Sequence, residues 1–428
     1  MSTNKNTNIV AIVTMCFIFA MISFVTNMGA PFGNIWGFKY EFAASWGNLM
    51  NFVAYLFMGI PSGMLLKKIG YKKTALAALI VGIIGLALQY LSSIYGDDVK
   101  VNEVGGTVVA LNLYIYLLGA LVCGFCVCML NTVVNPMLNI LGGGGNRGNQ
   151  FIQIGGTLNS LTATLTPLLA GVLVGTVSEK TSMSDVSPLL FIGMAVFAIS
   201  FFIISRVDIP EPSFGEGESL MDSIKGALRF RHLVLGVIAI FFYVGVEIGI
   251  PMELNFYVTK MGFEGSAALG GTLAASYWFM MLIGRFCSTL ISGKISTKTQ
   301  MTAVASVAIC LLLIAIFLPE SVTATIGGHA VPMKVFFIAA CGLCTSIMWG
   351  GIFNLSVEGL GKYTEAASGI FMMMVVGGGI LPLIQNSIVG TTMGSLRISY
   401  VIVIAVLAYM IFYALIGSKN VNKDIKVD

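Results

Sequence analysis

Charged residues are scarce in this chain. Only 10% of its 428 residues are charged, whereas 57% are hydrophobic; an ordinary soluble protein carries about 25% charged residues. This composition excludes a water-soluble fold. The 23 basic and 19 acidic residues nearly balance and form no continuous basic stripe, so we expect no binding of nucleic acid.

Groups that ligate metals or carry out catalysis are also few. Histidine occurs only as His232 and His329, and all eight cysteines fall inside apolar runs. Buried thiols behave as small hydrophobic groups, so we expect no disulfide framework, no metal site and no cofactor. A membrane enzyme would need paired acids or metal ligands at membrane depth. The sequence lacks such a set, and we predict that the protein is not an enzyme.

Long apolar runs make up most of the chain. About 20 apolar residues cross the hydrocarbon core of a bilayer as a helix. The sequence therefore predicts an all-α membrane protein with twelve transmembrane helices. The apolar windows lie at about 9–34, 46–66, 74–94, 108–140, 149–177, 187–206, 232–258, 266–291, 300–318, 333–356, 366–390 and 398–417.

The basic residues predict the orientation of these helices. With both termini in the cytoplasm, 17 of the 23 Lys and Arg residues lie on the cytoplasmic side, as the positive-inside rule requires. We expect a multi-pass, monomeric protein of a bacterial inner membrane, surrounded by lipid. Its one long cytoplasmic connection, 207–231, contains Leu220, Met221 and Ile224 at helical spacing. This spacing favours a short amphipathic helix on the membrane surface; a flexible linker is the alternative.

Weak internal repeats indicate two related halves. Residues 135–142 and 354–361 share Asn, Leu and Gly at an offset of 219 residues, and residues 167–175 and 382–390 share Pro and Gly at an offset of 215. Both offsets run in the same direction and connect corresponding helices. Parallel repeats of six helices are found in transporters that bind substrate near the middle of the membrane.

The repeats predict a division of the chain into three parts. Residues 1–206 form an N-terminal six-helix bundle, residues 207–231 a cytoplasmic linker with the amphipathic helix, and residues 232–428 a C-terminal six-helix bundle with a short cytoplasmic tail. Such pseudo-symmetric bundles resemble the architecture of the major facilitator superfamily, whose substrate site lies between the two halves.

The basic loop after the second helix carries a more specific resemblance. Its sequence, Gly63-Met-Leu-Leu-Lys67-Lys68-Ile-Gly70, resembles the signature loop of the major facilitator superfamily, with Lys67 at the position where aspartate is usual. Together with Asn135-Pro136, Phe242–Glu247, Ile283–Phe286 and Gly377–Ile380, it resembles the fucose/glucose/galactose permease family. This resemblance implies import of a sugar by cation symport, with a proton as the expected ion and alternating access as the mechanism.

Two acids of that family are absent here. The fourth helix reads Asn131-Thr-Val-Val-Asn135-Pro136 where the family has Glu-Thr-Ala-Ala-Asn-Pro, and the first helix has Thr26-Asn27 where the family has Asn-Asp. Glu247 lies about fifteen residues into the seventh helix, roughly 22 Å along it. A charge at such depth is costly and usually functional. We therefore predict that Glu247 takes part in coupling.

Alternatives to this role remain open from the sequence. Glu247 with nearby amide oxygens would ligate Na⁺ in a sodium-coupled carrier, or transport would be uncoupled. In a purely structural role, a protonated Glu247 would donate a hydrogen bond to a neighbouring helix. A drug or metabolite exporter would need a broad apolar cavity, which the many amides argue against. A sensor derived from a transporter fold is a further alternative.

Amide and aromatic side chains are the candidate sugar ligands, because amides hydrogen-bond hydroxyl groups and aromatic rings stack on pyranoses. Asn131 and Asn135 are four residues apart and share a helix face, which the resemblance directs at the cavity. Trp349 falls where the family has an aromatic residue. Each of these side chains could instead bridge helices. The full set of substrate-binding candidates is Asn27, Asn131, Asn135, Gln153, Asn159, Asn255, Trp278, Trp349, Asn354, Gln385 and Asn386.

No basic residue is expected at mid-membrane depth, since Arg147 and Arg285 both fall near cytoplasmic helix ends. A dianionic substrate would need a buried cation. The sequence therefore favours a neutral or weakly charged sugar; the alternative is an acidic sugar bound by helix termini or hydroxyl groups. Glu253 is expected at the solvated outer interface.

Overall fold

The computed structural model describes residues 5–43, 46–174, 181–211, 220–259, 261, 263, 266–326, 328–389, 393–422, 424, 425 and 427. Helices account for most of this part of the chain. They are α1 (Lys5–Lys39), α2 (Trp46–Leu91), α3 (Leu111–Leu141), α4 (Gly145–Val174), α5 (Ser187–Arg206), α6 (Leu220–Ala227), α7 (Arg231–Thr259), α8 (Ser266–Ile291), α9 (Thr297–Phe317), α10 (Lys334–Thr345), α11 (Met348–Val357), α12 (Thr364–Met373), α13 (Gly377–Val389) and α14 (Met393–Phe412).

These helices form twelve membrane spans, which confirms the predicted fold. Ten stretches of the described chain are long and apolar enough to cross a membrane. One of them is α2, whose 46 residues are more than twice the length of one span, so it supplies two. The more polar α4, with 30 residues, supplies the twelfth. The tenth span is divided into α10 and α11, and the eleventh into α12 and α13.

The two spans of α2 meet at Gly70. Its backbone has φ +83° and ψ 175°, a conformation that glycine adopts without the steric cost that other residues incur. The turn is held by the carboxylate of Glu211, which accepts hydrogen bonds from the backbone N–H groups of Tyr71 at 2.7 Å and Lys72 at 2.9 Å. The basic loop of the family resemblance is therefore tied to the segment that follows α5. Lys67 is tied to α6, because its Nζ donates to Ser223 Oγ at 2.8 Å.

Two β-hairpins were missed by the search for apolar windows. β1 (Lys100–Val104) pairs with β2 (Thr107–Ala110) between α2 and α3, and β3 (Thr323–Ile326) pairs with β4 (His329–Pro332) between α9 and α10. In the first hairpin the turn is Gly105-Gly106, both with positive φ, a pair typical of two-residue hairpins. The hairpins join equivalent spans of the two halves, so they extend the repeat that the sequence indicates.

Residue contacts divide the chain into two compact units. One comprises Met1–Leu138, Leu161–Ile224 and Thr364–Met373; the other comprises Asn139–Ser160, Lys225–Tyr363 and Met374–Asp428. Helix α4 and the eleventh span thus contribute to both units. The predicted division at residues 206 and 232 follows the order of the spans and stays a prediction. The helix α6 lies inside the predicted linker 207–231, of which residues 212–219 are outside the described part of the chain.

Small residues allow close helix packing in each unit. In the first unit, a Cβ placed on Gly63 of α2 would lie 2.9 Å from the carbonyl oxygen of Glu365 in α12. In the second unit, a Cβ on Gly377 of α13 would collide with the backbone of Phe241 in α7. The Gly377 contact fixes α7, the helix that carries Glu247, against α13.

Candidate functional site

Glu247 is buried within α7, with 8% of the residue exposed. Tyr243 lies one helical turn earlier on the same face, and its hydroxyl donates to Glu247 Oε1 at 3.0 Å. The same hydroxyl is 3.0 Å from the backbone carbonyl of Thr345, at the end of α10. The carboxylate therefore has a fixed hydrogen-bond donor from its own helix, and that donor also contacts the broken tenth span.

Arg285 of α8 is the cation beside this carboxylate. Its Nη2 lies 3.4 Å from Glu247 Oε1, and only 9% of the residue is exposed. Arg285 was expected near a helix end and away from the middle of the membrane, but its charged group is buried beside Glu247. It stands six residues before the end of α8, and a long side chain carries its charged group well away from its own Cα. A buried charge is tolerated when an opposite charge and hydrogen bonds compensate it.

Arg285 also contacts α4. Its Nη1 donates to Ser160 Oγ at 2.8 Å, to the Gly156 carbonyl at 3.2 Å and to Asn159 Oδ1 at 3.3 Å. Its Nε donates to the Ser346 carbonyl at 3.1 Å, at the break between α10 and α11. Arg285 therefore contacts two residues that were predicted as site residues, Asn159 and Glu247. We call Tyr243, Glu247, Arg285, Asn159 and Ser160 the charge cluster.

The charge cluster contains a buried basic residue, Arg285, contrary to the expectation of none. However, Glu247 compensates its charge, so the cluster has no net charge when both groups are ionised. A neutral substrate therefore remains favoured over an anion, which would have to compete with Glu247 for Arg285.

Asn131 and Asn135 lie in the first unit, buried on one face of α3 as the spacing predicts. The Asn131 side-chain amide donates to the hydroxyl of Tyr55 in α2 at 2.9 Å, and that of Asn135 donates to the Asn131 carbonyl at 2.9 Å. Asn27 of α1 is half-buried and donates to the Ser23 carbonyl at 2.8 Å. The two positions that hold acids in the resembling family are therefore occupied by amides with hydrogen-bond partners inside the unit.

Two of the predicted amides bridge helices. Gln153 is buried in α4 and donates through Nε2 to the Ile347 carbonyl at 3.1 Å, at the break between α10 and α11. Asn354 of α11 accepts a hydrogen bond from Asn139 at 2.7 Å and donates to Thr297 Oγ1 at 3.4 Å. These contacts are those of the structural alternative that the sequence analysis left open for each amide.

The remaining candidates are spread over the second unit. Gln385 is buried in α13 and donates to Ser399 Oγ, while Asn255, Trp278 and Trp349 are half-buried. The side chain of Asn386 lies outside the described residues. Glu253, expected at a solvated interface, is instead 0% exposed; its position near the end of α7 did not reveal how closely other helices pack there.

Sequence reasoning also missed a small cleft in the first unit. This cleft lies among α1, α2 and α3. The side-chain oxygens of Asn51 and Gln89 in its wall accept no hydrogen bond within the described structure, and Gln89 is only 6% exposed. They are buried acceptors inside the first unit. The sequence could have indicated these two side chains, because Asn51 and Gln89 are polar residues inside otherwise apolar windows.

Membrane spans that carry buried amides, together with the buried pair of Glu247 and Arg285, define a polytopic membrane transporter. The Major Facilitator Superfamily matches residues 10–382 of the chain. A glucose/galactose transporter of Brucella abortus biovar 1 (strain 9-941) is 32% identical over 382 residues, which are 86% of this chain and 84% of the relative. The chain therefore belongs to the major facilitator superfamily.

Two further similarities agree with this assignment. An L-fucose-proton symporter of Escherichia coli (strain K12) is 24% identical over 358 residues, covering 77% of this chain and 75% of that protein. The crystal structure of the Escherichia coli fucose:proton symporter superimposes with a TM-score of 0.80 at 20% identity, over 97% of this chain and all of that one. The latter similarity shows the shared fold.

Proposed function

We propose that this protein is a secondary active transporter that imports a sugar by proton symport with alternating access. The glucose/galactose transporter and the L-fucose-proton symporter among its relatives support the sugar and the proton. The observation that carries the proposal is Glu247, a buried carboxylate in α7 that is paired with Arg285 in a chain with amides where the resembling family has its other acids.

Glu247 carries the coupling proton in this proposal. An ionised group inside a membrane protein is stable only while it is compensated. Arg285 and the Tyr243 hydroxyl compensate the carboxylate, and a proton neutralises it. The carboxyl group therefore has two chemically accessible states, and a carrier that changes between them during its cycle moves one proton.

The amides supply the sugar contacts. Asn131 and Asn135 present oxygen and N–H groups on one face of α3, and Asn27, Asn159, Asn255, Gln385 and Asn386 are further candidates. Trp278 or Trp349 would stack on the apolar face of a pyranose. Gln153 and Asn354 contribute to this site only if their bridging hydrogen bonds are exchanged for bonds to the sugar.

Sodium coupling and uncoupled facilitation are the alternatives within the same transporter class. In the first, Glu247 and neighbouring amide oxygens ligate Na⁺; in the second, Glu247 is structural. Both alternatives arise because positions 27 and 131 hold amides where the resembling family has acids. We further propose a monomer in a bacterial inner membrane with both termini cytoplasmic, surrounded by lipid, with neither enzymatic activity nor a nucleic-acid partner and with no cofactor besides the coupling ion.

Uptake into proteoliposomes tests the proposal. Purified protein is reconstituted, and labelled glucose, galactose, fucose and an acidic sugar are offered with an imposed pH gradient, with a sodium gradient, or with neither. We expect accumulation of a neutral sugar with the pH gradient only, and loss of that accumulation in Glu247→Gln. The exposed Glu103→Gln is the matched control.

Several results would contradict parts of the proposal. Concentrative uptake that survives Glu247→Gln refutes the coupling role. Uptake that follows the sodium gradient and ignores pH would show that the coupling ion is Na⁺ and not H⁺. Accumulation of the acidic sugar alone would refute the proposal of a neutral substrate. No movement of any sugar under any gradient would favour an exporter of other molecules or a sensor.

A further inference from the structure

Arg285 is a junction between four parts of the second unit. The guanidinium group has five N–H donors and no acceptor. They are directed at the carboxylate of Glu247 in α7, at Gly156, Asn159 and Ser160 in α4, and at the Ser346 carbonyl after α10. Since Arg285 itself belongs to α8, one side chain joins these elements.

The contacts of this junction differ in kind. The neutral oxygens of Ser160 and Ser346 lie 2.8 and 3.1 Å from their donors, whereas Glu247 Oε1 lies 3.4 Å from Nη2. The neutral acceptors therefore fix the position of the guanidinium group, and Glu247 compensates its charge. A proton on Glu247 would leave the position of Arg285 unchanged at first and would leave its charge uncompensated.

The other groups around Glu247 cannot replace that compensation. Tyr243 of α7 donates to the carboxylate, and Tyr277 of α8 shares a hydrogen bond with Thr345 Oγ1 at 2.8 Å. Both are neutral hydroxyl groups. Within the described part of the chain, Glu247 is the anion that pairs with Arg285.

We propose that Arg285 is a positioning residue that transmits the protonation state of Glu247 to α4. This inference rests on the proposed symport. While Glu247 is ionised, the pair is neutral and Arg285 holds α8 to α4. Protonation removes the compensating charge, so the buried cation is no longer stable in this arrangement and its hold on Ser160 and Asn159 is weakened. Asn159 and Ser160 belong to the part of α4 that lies in the second unit, as does Arg285.

Four variants test the inference in proteoliposomes. Arg285→Gln, Glu247→Gln, the double variant and Arg285→Lys are compared with the exposed Arg147→Gln of α4 as control. Two activities are measured for the sugar that the wild type transports: accumulation driven by a pH gradient, and exchange of internal for external sugar at equal pH, which needs no net proton movement. Size-exclusion profiles report folding.

The expected pattern is non-additive, as for two residues in direct contact. Glu247→Gln leaves a buried cation unpaired, so exchange falls by about tenfold or more, which corresponds to about 1.4 kcal/mol. In Arg285→Gln the carboxyl group without a counter-ion stays neutral, so exchange persists while accumulation is lost. The double variant restores a neutral cluster, and its exchange recovers to within about threefold of the wild type, still without accumulation.

Arg285→Lys keeps the charge but loses the planar arrangement of donors. We expect it to retain accumulation at a reduced level, because compensation of Glu247 survives and the contacts to α4 are weakened. This variant also separates coupling from folding. A folded Arg285→Lys protein with no accumulation at all would contradict the proposal that the positive charge at position 285 is what proton coupling requires.

Two further results would overturn the inference. One is a double variant whose exchange is no better than that of Glu247→Gln; the other is normal accumulation in Arg285→Gln. Failure of the broader proposal looks different, because the wild type itself would then show no proton-driven sugar accumulation. Wild-type accumulation together with normal Arg285→Gln accumulation refutes the role of Arg285 alone.

Discussion

A methyl group at position 377 should disturb the helix that carries Glu247. In the native protein, Gly377 of α13 approaches α7 so closely that a Cβ would collide with the carbonyl oxygen of Phe241 and lie 2.7 Å from its carbonyl carbon. Backbone atoms cannot move aside as a side chain does, so one of the two helices must shift. Overpacking of this kind costs about 1–3 kcal/mol, and we expect Gly377→Ala to be destabilised by that amount.

The measurement is the half-life of the purified protein on heating, combined with pH-driven sugar uptake, because membrane proteins of this size commonly unfold irreversibly. Phe241 lies six residues before Glu247, so a displaced α7 should also reduce proton-driven uptake. The control is Gly271→Ala in α8, where no atom lies within 4 Å of the new methyl group. Because alanine forms helices better than glycine, the control is expected to gain up to about 1 kcal/mol. Equal half-lives for the two variants would refute the reasoning.

Two further predictions concern the first unit. Asn131→Ala removes a proposed sugar ligand, whose amide also donates to Tyr55. Loss of its hydrogen bond to the sugar, worth about 1.4 kcal/mol, should weaken sugar binding about tenfold. An unchanged thermal-shift titration with the transported sugar would argue against a binding role. Glu211→Ala removes the carboxylate that holds Tyr71 and Lys72; trypsin should then cut the basic loop about tenfold faster or more, and an unchanged rate would show that the loop is held by other contacts.

The spans of this protein could be predicted from its sequence because each needs only a sufficient length of apolar residues. The breaks inside spans could not. At the interruption between α10 and α11, the Ile347 carbonyl accepts hydrogen bonds from the Gly351 N–H group and from Gln153, a residue 194 positions earlier in the chain. No local pattern around residue 347 indicates a contact with so distant a side chain.

The candidate site was predicted unevenly for a similar physical reason. Glu247 was found because a single acid in an apolar run is costly and therefore conspicuous. Arg285 was missed because its distance from the helix end suggested an aqueous position, although its guanidinium group is directed inward to Glu247. Position along a helix gives the depth of the backbone; the direction and length of the side chain decide where the charge lies.

Proton movement during sugar uptake is the most direct measurement of the coupling proposed for Glu247. Proteoliposomes are loaded with a pH-sensitive dye, and the transported sugar is added outside without any imposed gradient. The wild type should acidify the lumen as sugar enters, while Glu247→Gln should take up sugar only by equilibration and leave the internal pH unchanged. Acidification by Glu247→Gln at the wild-type rate would contradict the account.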